Sequence, residues 1–176
     1  MRFRLLLDVS FGTVENLMED WIDRLKSEKQ EQQTRELDQA KAKQRTDDLI
    51  RSKLPEFLEQ ALGQIEQDVA KLQREFPNDL QYFLHFQNIG SGSVLQGSLP
   101  SALKVTVKLD PTHTRAALLI RHPGSGSVFS KPTEEPHELK ISLDVNDNLS
   151  VRFNGRQYAN PQEFGSALVQ FVLKSQ

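Results

Sequence analysis

At 176 residues the chain is long enough for one ordinary domain or a small domain with an appendage, and its hydrophobic fraction of 37% is low for a globular protein. A formal net charge of −2, about −4 over residues 1 to 80 and about +2 over the rest, marks neither half as a polyanion binder. The absence of cysteine excludes a disulfide scaffold and thiolate metal ligation and fits a reducing, cytoplasmic compartment.

The opening residues, Met1-Arg2-Phe3-Arg4-Leu5-Leu6-Leu7-Asp8, briefly resemble a secretion signal. Asp8 cuts the apolar run short and no small-residue cleavage pattern follows, so secretion is not expected. No window approaches ~20 apolar residues, so no membrane-spanning helix is expected.

From Thr13 to Leu54 there is neither Gly nor Pro, and before Phe76 only Pro55 and Gly63 interrupt. Val14, Leu17, Met18, Trp21, Ile22 and Leu25 recur at three- and four-residue steps, which predicts an amphipathic helix with Thr13 as its cap. A second stripe runs through Ile50, Leu54, Phe57, Leu58, Ala61, Leu62, Ile65, Val69, Leu72 and Phe76, close to the period of a straight helix. Pro55 removes an amide donor and predicts either a kink or a fresh helix start.

Between the stripes, Lys26 to Asp48 holds six basic and six acidic residues, with Leu37 as its only large aliphatic one. Most of its residues are good helix formers, so an exposed helix with pairs such as Glu31 with Arg35 is expected in preference to a linker. A continuous helix from Thr13 to Phe76 would span on the order of 95 Å at ~1.5 Å per residue.

Beyond Pro77 the period changes. Tyr82 to Gln87 reads as a strand; Leu103, Val105, Val107 and Leu109 alternate with Lys104, Thr106 and Lys108; Ala117 to Ile120 is continuously apolar. Leu139, Ile141, Leu143 and Val145 alternate before Asn146-Asp147-Asn148 turns into Leu149, Val151 and Phe153. Asn154-Gly155 predicts a tight hairpin back through Arg156 to Tyr158. Asn160-Pro161-Gln162-Glu163, followed by Phe164, Ala167, Leu168, Phe171 and Val172, predicts a capped helix that covers one sheet face.

Chemistry-bearing motifs are sparse. Ile89-Gly90-Ser91-Gly92-Ser93-Val94-Leu95 is echoed by Pro123-Gly124-Ser125-Gly126-Ser127-Val128-Phe129, but neither loop has the ending of a nucleotide loop, and flexible connections explain both. His122 and His137, near Glu134, Glu135 and Glu138, are the best metal candidates: a hairpin would set the two histidines opposite each other at its mouth. His85, among Phe83, Leu84 and Phe86, reads as a strand-face residue. No serine is tied to a base by a nucleophile motif. Lys104, Lys108, Arg115, Arg121, Lys140 and Arg152 would form a basic stripe on the wet sheet face, but the aromatic residues mostly take the apolar phase, which argues against a stacking platform for nucleic acid.

The expected fold is α+β: a long, coiled-coil-like helical arm over residues 1–76, polar and exposed at 26–48, then over 77–176 an antiparallel sheet of four to six strands with a C-terminal helix packed on it. The expected function is a non-enzymatic interaction or assembly module, self-associating or gripping a partner helix through the arm. The interface positions are Leu17, Trp21, Leu25, Leu54, Leu58, Leu62, Ile65 and Leu72. Each large apolar side chain contributes ~1.5–3 kcal/mol on burial, so two such stripes demand cover. The alternatives are a ligand-binding or enzymatic β domain using the Gly-Ser loops and His122/His137, and nucleic-acid binding on the basic sheet face. No catalytic residue and no cofactor is implied.

Overall fold

The computed structural model describes residues 12–89, 92–98, 103–122 and 133–175, with the side chains of residues 12–20 outside that description. Helix α1 runs unbroken over Gly12–Glu75, and Thr13, expected as its cap, stands one position inside it. Good helix formers keep the polar span Lys26 to Asp48 helical throughout. Exposed ion pairs one turn apart, Lys26–Asp23 at 3.1 Å and Arg35–Glu31 at 3.5 Å, add a few tenths of a kcal/mol each. Pro55 lies within the helix and does not end it. Leu54, Phe57 and Leu58 around it are all buried, and that packing offsets the lost amide bond.

Eight strands follow among the described residues: β1 Leu84–Ile89, β2 Gly92–Gly97, β3 Lys104–Leu109, β4 Ala116–His122, β5 Thr133–Glu138, β6 Lys140–Leu143, β7 Leu149–Phe153 and β8 Arg156–Tyr158. The first five form one antiparallel sheet in chain order, and the last three a second, smaller one. Helix α2, Pro161–Lys174, closes the chain. The fold is therefore α+β, with a long N-terminal helix, antiparallel sheets and a C-terminal helix, as the periodicities predict.

Two strands occupy stretches that sequence periodicity leaves as loops. β2 takes up the first Gly-Ser segment from Gly92 onward, where Ser93 is buried and donates from Oγ to Asn88 Oδ1 at 3.0 Å. β5 carries Glu134, Glu135, Pro136 and Glu138 with every residue exposed, and is held by its ladder to β4. Leu139, buried, still donates its N–H to Ala116 O at 2.9 Å before the chain passes into β6. The stretch read as a single strand from Leu139 to Val145 thus starts at a sheet corner and ends in a turn, where Val145 is fully exposed.

The chain divides into two units, Met1–Arg45 and Thr46–Gln176. The second half of α1 belongs with the sheets because Ile50, Leu54, Phe57, Leu58, Ala61, Ile65 and Val69 are all buried there. They join Leu95, Val105, Val107, Leu118 and Ile120 of the large sheet, Val151, Phe153 and Tyr158 of the small one, and Phe164, Leu168 and Val172 of α2 in one continuous core. Phe164 sits at its centre, with the rings of Tyr158, Phe57 and Phe153 at 5.7, 6.1 and 6.2 Å.

Polar ties fix α1 against the turns. Lys53 Nζ donates to Asp147 O at 2.6 Å and Arg51 Nε to Thr112 O at 3.2 Å. Asn160 caps α2 as predicted, accepting from the amides of Gln162 and Glu163 at 2.8 and 3.3 Å. Asn154 and Gly155 both take positive φ, 47° and 78°, which is the backbone that a two-residue hairpin between β7 and β8 requires. No described helix is long and apolar enough to cross a membrane.

Candidate functional site

The two apolar stripes of α1 have different fates. In the Met1–Arg45 unit Trp21 is 61% exposed, Ile22 39%, Leu25 45% and Leu37 55%. Leu17 lies on the same helical face by spacing, but its side chain falls outside the description. In the Thr46–Gln176 unit Leu54, Leu58 and Ile65 are buried in the chain's own core, with Leu62 and Leu72 packed against it and partly buried. Of the eight interface positions, the chain covers five itself, Trp21 and Leu25 stand in solvent, and the Leu17 side chain lies outside the description.

The histidine juxtaposition does not form. β4 and β5 do pair, but the register sets His122 opposite Thr133 and His137 opposite Leu118, because β5 begins four residues before His137. At ~3.4 Å per residue the two histidines lie on the order of 14 Å apart along the ladder. His137 Nε2 instead approaches Glu135 Oε2 at 3.7 Å, and no group of three or more metal-ligating side chains occurs among the described residues. His85 is an exposed strand-face residue, its ring edge-on to Phe83 at 5.2 Å. The second Gly-Ser loop, Pro123 to Phe129, lies outside the described residues, as do Gly90 and Ser91 of the first.

The six basic residues do not form one stripe: Lys104, Lys108 and Arg121 share a face of the large sheet, and Lys140 and Arg152 belong to the small one. Lys104 pairs with Arg121 across β3 and β4, and Arg121 in turn faces Glu134. Arg115 Nε lies 3.9 Å from Glu138 Oε1. Lys140 and Arg152 are cross-strand neighbours in the other sheet. The division into two sheets separates Lys140 and Arg152 from the others, and acidic β5 flanks Arg121 at the sheet edge.

Two concave surfaces have no sequence signal, because each is assembled from distant segments. One groove, of about 570 Å³, lies between α2 and the β7–β8 hairpin. Its Arg156 is engaged, 3.6 Å from Glu163 Oε2 and 5.1 Å from the Tyr158 ring centroid. The other, of about 800 Å³, is bounded by the Pro55–Glu66 part of α1 and by β1, β2 and β3, with Leu58, Leu62, Phe86 and Leu109 among its apolar walls.

Among the described residues titration is perturbed at two turn aspartates, and both cases are structural. Asp144 is held below the ordinary carboxylate range by hydrogen bonds from the Asn148 side chain and from the Asn148 and Asn146 amides. Asp110 is lowered chiefly by the Thr112 hydroxyl, then by the amides of Arg115 and Thr114. Depressed carboxylates in exposed turns suit turn closure, not general-acid work.

Comparison with protein-family models, curated proteins and solved structures gives no match for this chain.

Proposed function

We propose that this protein is a non-enzymatic interaction or assembly module that self-associates, or seats a partner helix, through the N-terminal part of α1. The observation that carries the reading is the exposure of Trp21, Ile22 and Leu25 on one helical face. Val14, Met18, Trp21 and Leu25 follow four-three-four steps, the spacing of a short coiled-coil seam. Trp is also the residue type most enriched among dominant interface anchors. A cytoplasmic setting belongs to the same reading, supported by the cysteine-free composition.

The charge beside the seam bears on what occupies it. Glu15, Glu19, Asp20 and Asp23 outweigh Arg24 there. A second copy brings the same acidic flank, so self-pairing strengthens as salt screens the repulsion; a partner helix with basic flanks is released by salt.

The test is light scattering over a concentration series, comparing the full chain with a form that begins at Thr46. Association of the full chain at micromolar concentration, lost in the shorter form, is the expected result. A full chain that stays monomeric at every salt concentration and retains no protein from a cell extract on an affinity column would end the proposal.

A further inference from the structure

We propose that the outer edge of β1, with the groove beside it, is a strand-addition site for an extended peptide of the form basic–x–apolar–x–basic. The site lies within the Thr46–Gln176 unit and does not depend on the helical arm.

The large sheet has two edges, β1 and β5, and they differ in kind. β5 is blunted by three glutamates and by Pro136, which has no amide hydrogen to donate. β1, Leu-His-Phe-Gln-Asn-Ile, carries neither proline nor a Lys, Arg, Asp or Glu.

The direction of its backbone groups is set by two bonds. Ser98 N donates to Phe83 O at 3.1 Å, so the backbone at Phe83 faces β2; alternation then turns the N–H and C=O of Leu84, Phe86 and Asn88 away from β2. Leu84 O, on that outer side, accepts from Gln73 Nε2 of α1 at 2.8 Å. Phe86 and Asn88 present their peptide groups to an edge that no described strand covers.

Gln73 also orients the helix. Gln73, Glu66 and Glu59 are seven residues apart, so they share one face of α1, and Gln73 fixes that face beside β1. Glu59 and Glu66 are exposed and make no ion pair among the described residues. Both line the same groove as Leu62 and Phe86.

The spacing defines the ligand. Glu59 and Glu66 lie about 10 Å apart along the helix, with Leu62 between them. An added strand turns residues i, i+2 and i+4 toward α1 over about 13 Å, which sets an apolar side chain at Leu62 and Phe86 and a Lys or Arg within reach of each carboxylate. Main-chain bonds to Phe86 and Asn88 supply affinity, and the groove and its carboxylates supply selectivity.

The experiment uses the full chain with a fluorescein-labelled peptide, acetyl-Thr-Lys-Thr-Leu-Thr-Lys-Thr-amide, and its Glu-for-Lys counterpart, read by anisotropy and by hydrogen–deuterium exchange. Expected are saturable binding of the lysine peptide, about tenfold or more weaker binding of the glutamate peptide, and slowed exchange confined to β1. Asn88→Pro removes an outward amide while leaving the ladder to β2, and Glu66→Lys changes an exposed side chain. Each should weaken the lysine peptide about tenfold, and Glu66→Lys should raise affinity for the glutamate peptide. If Asn88→Pro does not fold, Glu66→Lys decides alone. Absence of saturable binding, protection at β5 in place of β1, or unchanged affinity in Glu66→Lys overturns the proposal. Slowed exchange at β1 on concentrating the protein without peptide also overturns it, assigning the edge to a second copy.

Discussion

Gly165 of α2 lies so close to the Ala61 carbonyl of α1 that a β-carbon at position 165 would overlap that oxygen. The obstacle is helix backbone, which has little freedom to retreat. Next to this crossing, Ser166 Oγ donates to Asp68 Oδ2 at 2.6 Å, and Phe57 packs on Phe164. Gly165→Ala, which would help an isolated helix, should therefore destabilise this protein by roughly 1–3 kcal/mol through overpacking, read as a lower denaturant midpoint.

The buried stripe of α1 yields a second prediction by contrast. Leu54 is fully buried while Leu80 is 63% exposed. Leu54→Ala should cost about 2–5 kcal/mol through lost burial and the cavity left behind, whereas Leu80→Ala should change stability by no more than about 0.5 kcal/mol. Equal effects in urea titrations would contradict the assignment of Leu54 to the core.

Trp21 separates association from folding. Its side chain is largely in solvent, so Trp21→Asp should leave the unfolding midpoint within about 0.5 kcal/mol of the parent. The same change should weaken self-association or partner binding roughly tenfold or more, measured by sedimentation velocity, because it places a charge on the apolar seam.

The acid response follows from the two turn aspartates. Asp144 and Asp110 have folded-state pKa values below the ordinary value near 3.9, so the folded state favours their ionised forms. Their stabilising contribution is complete above the unfolded pKa and is lost as pH falls through the lower, folded one. Denaturant midpoints should therefore decline on acidification below about pH 4, and Asp144→Asn should show a shallower decline. An identical acid profile in the variant would remove Asp144 from this account.

Local signals in the chain carried far. The Asn154-Gly155 turn, the Asn160 cap and the alternation over Leu103 to Leu109 correspond to features of the fold, because each depends on chemistry between near neighbours. β2 and β5 escaped that reading: their residues lack a consistent strand period, and ladders to β1, β3 and β4 define them. The expectation for His122 and His137 failed on register alone, since where β5 begins depends on its pairing with β4.

The sequence by itself determined the change from helical to strand period, the punctuation between elements and the presence of two apolar helical stripes, since these follow from residue spacing. Only the tertiary structure decided that Ile50 to Val69 is roofed by the chain's own sheets while Trp21 and Leu25 remain in solvent. The two stripes look alike as patterns of side chains. Which one is buried depends on where the inner faces of two sheets, assembled from residues far along the chain, come to lie.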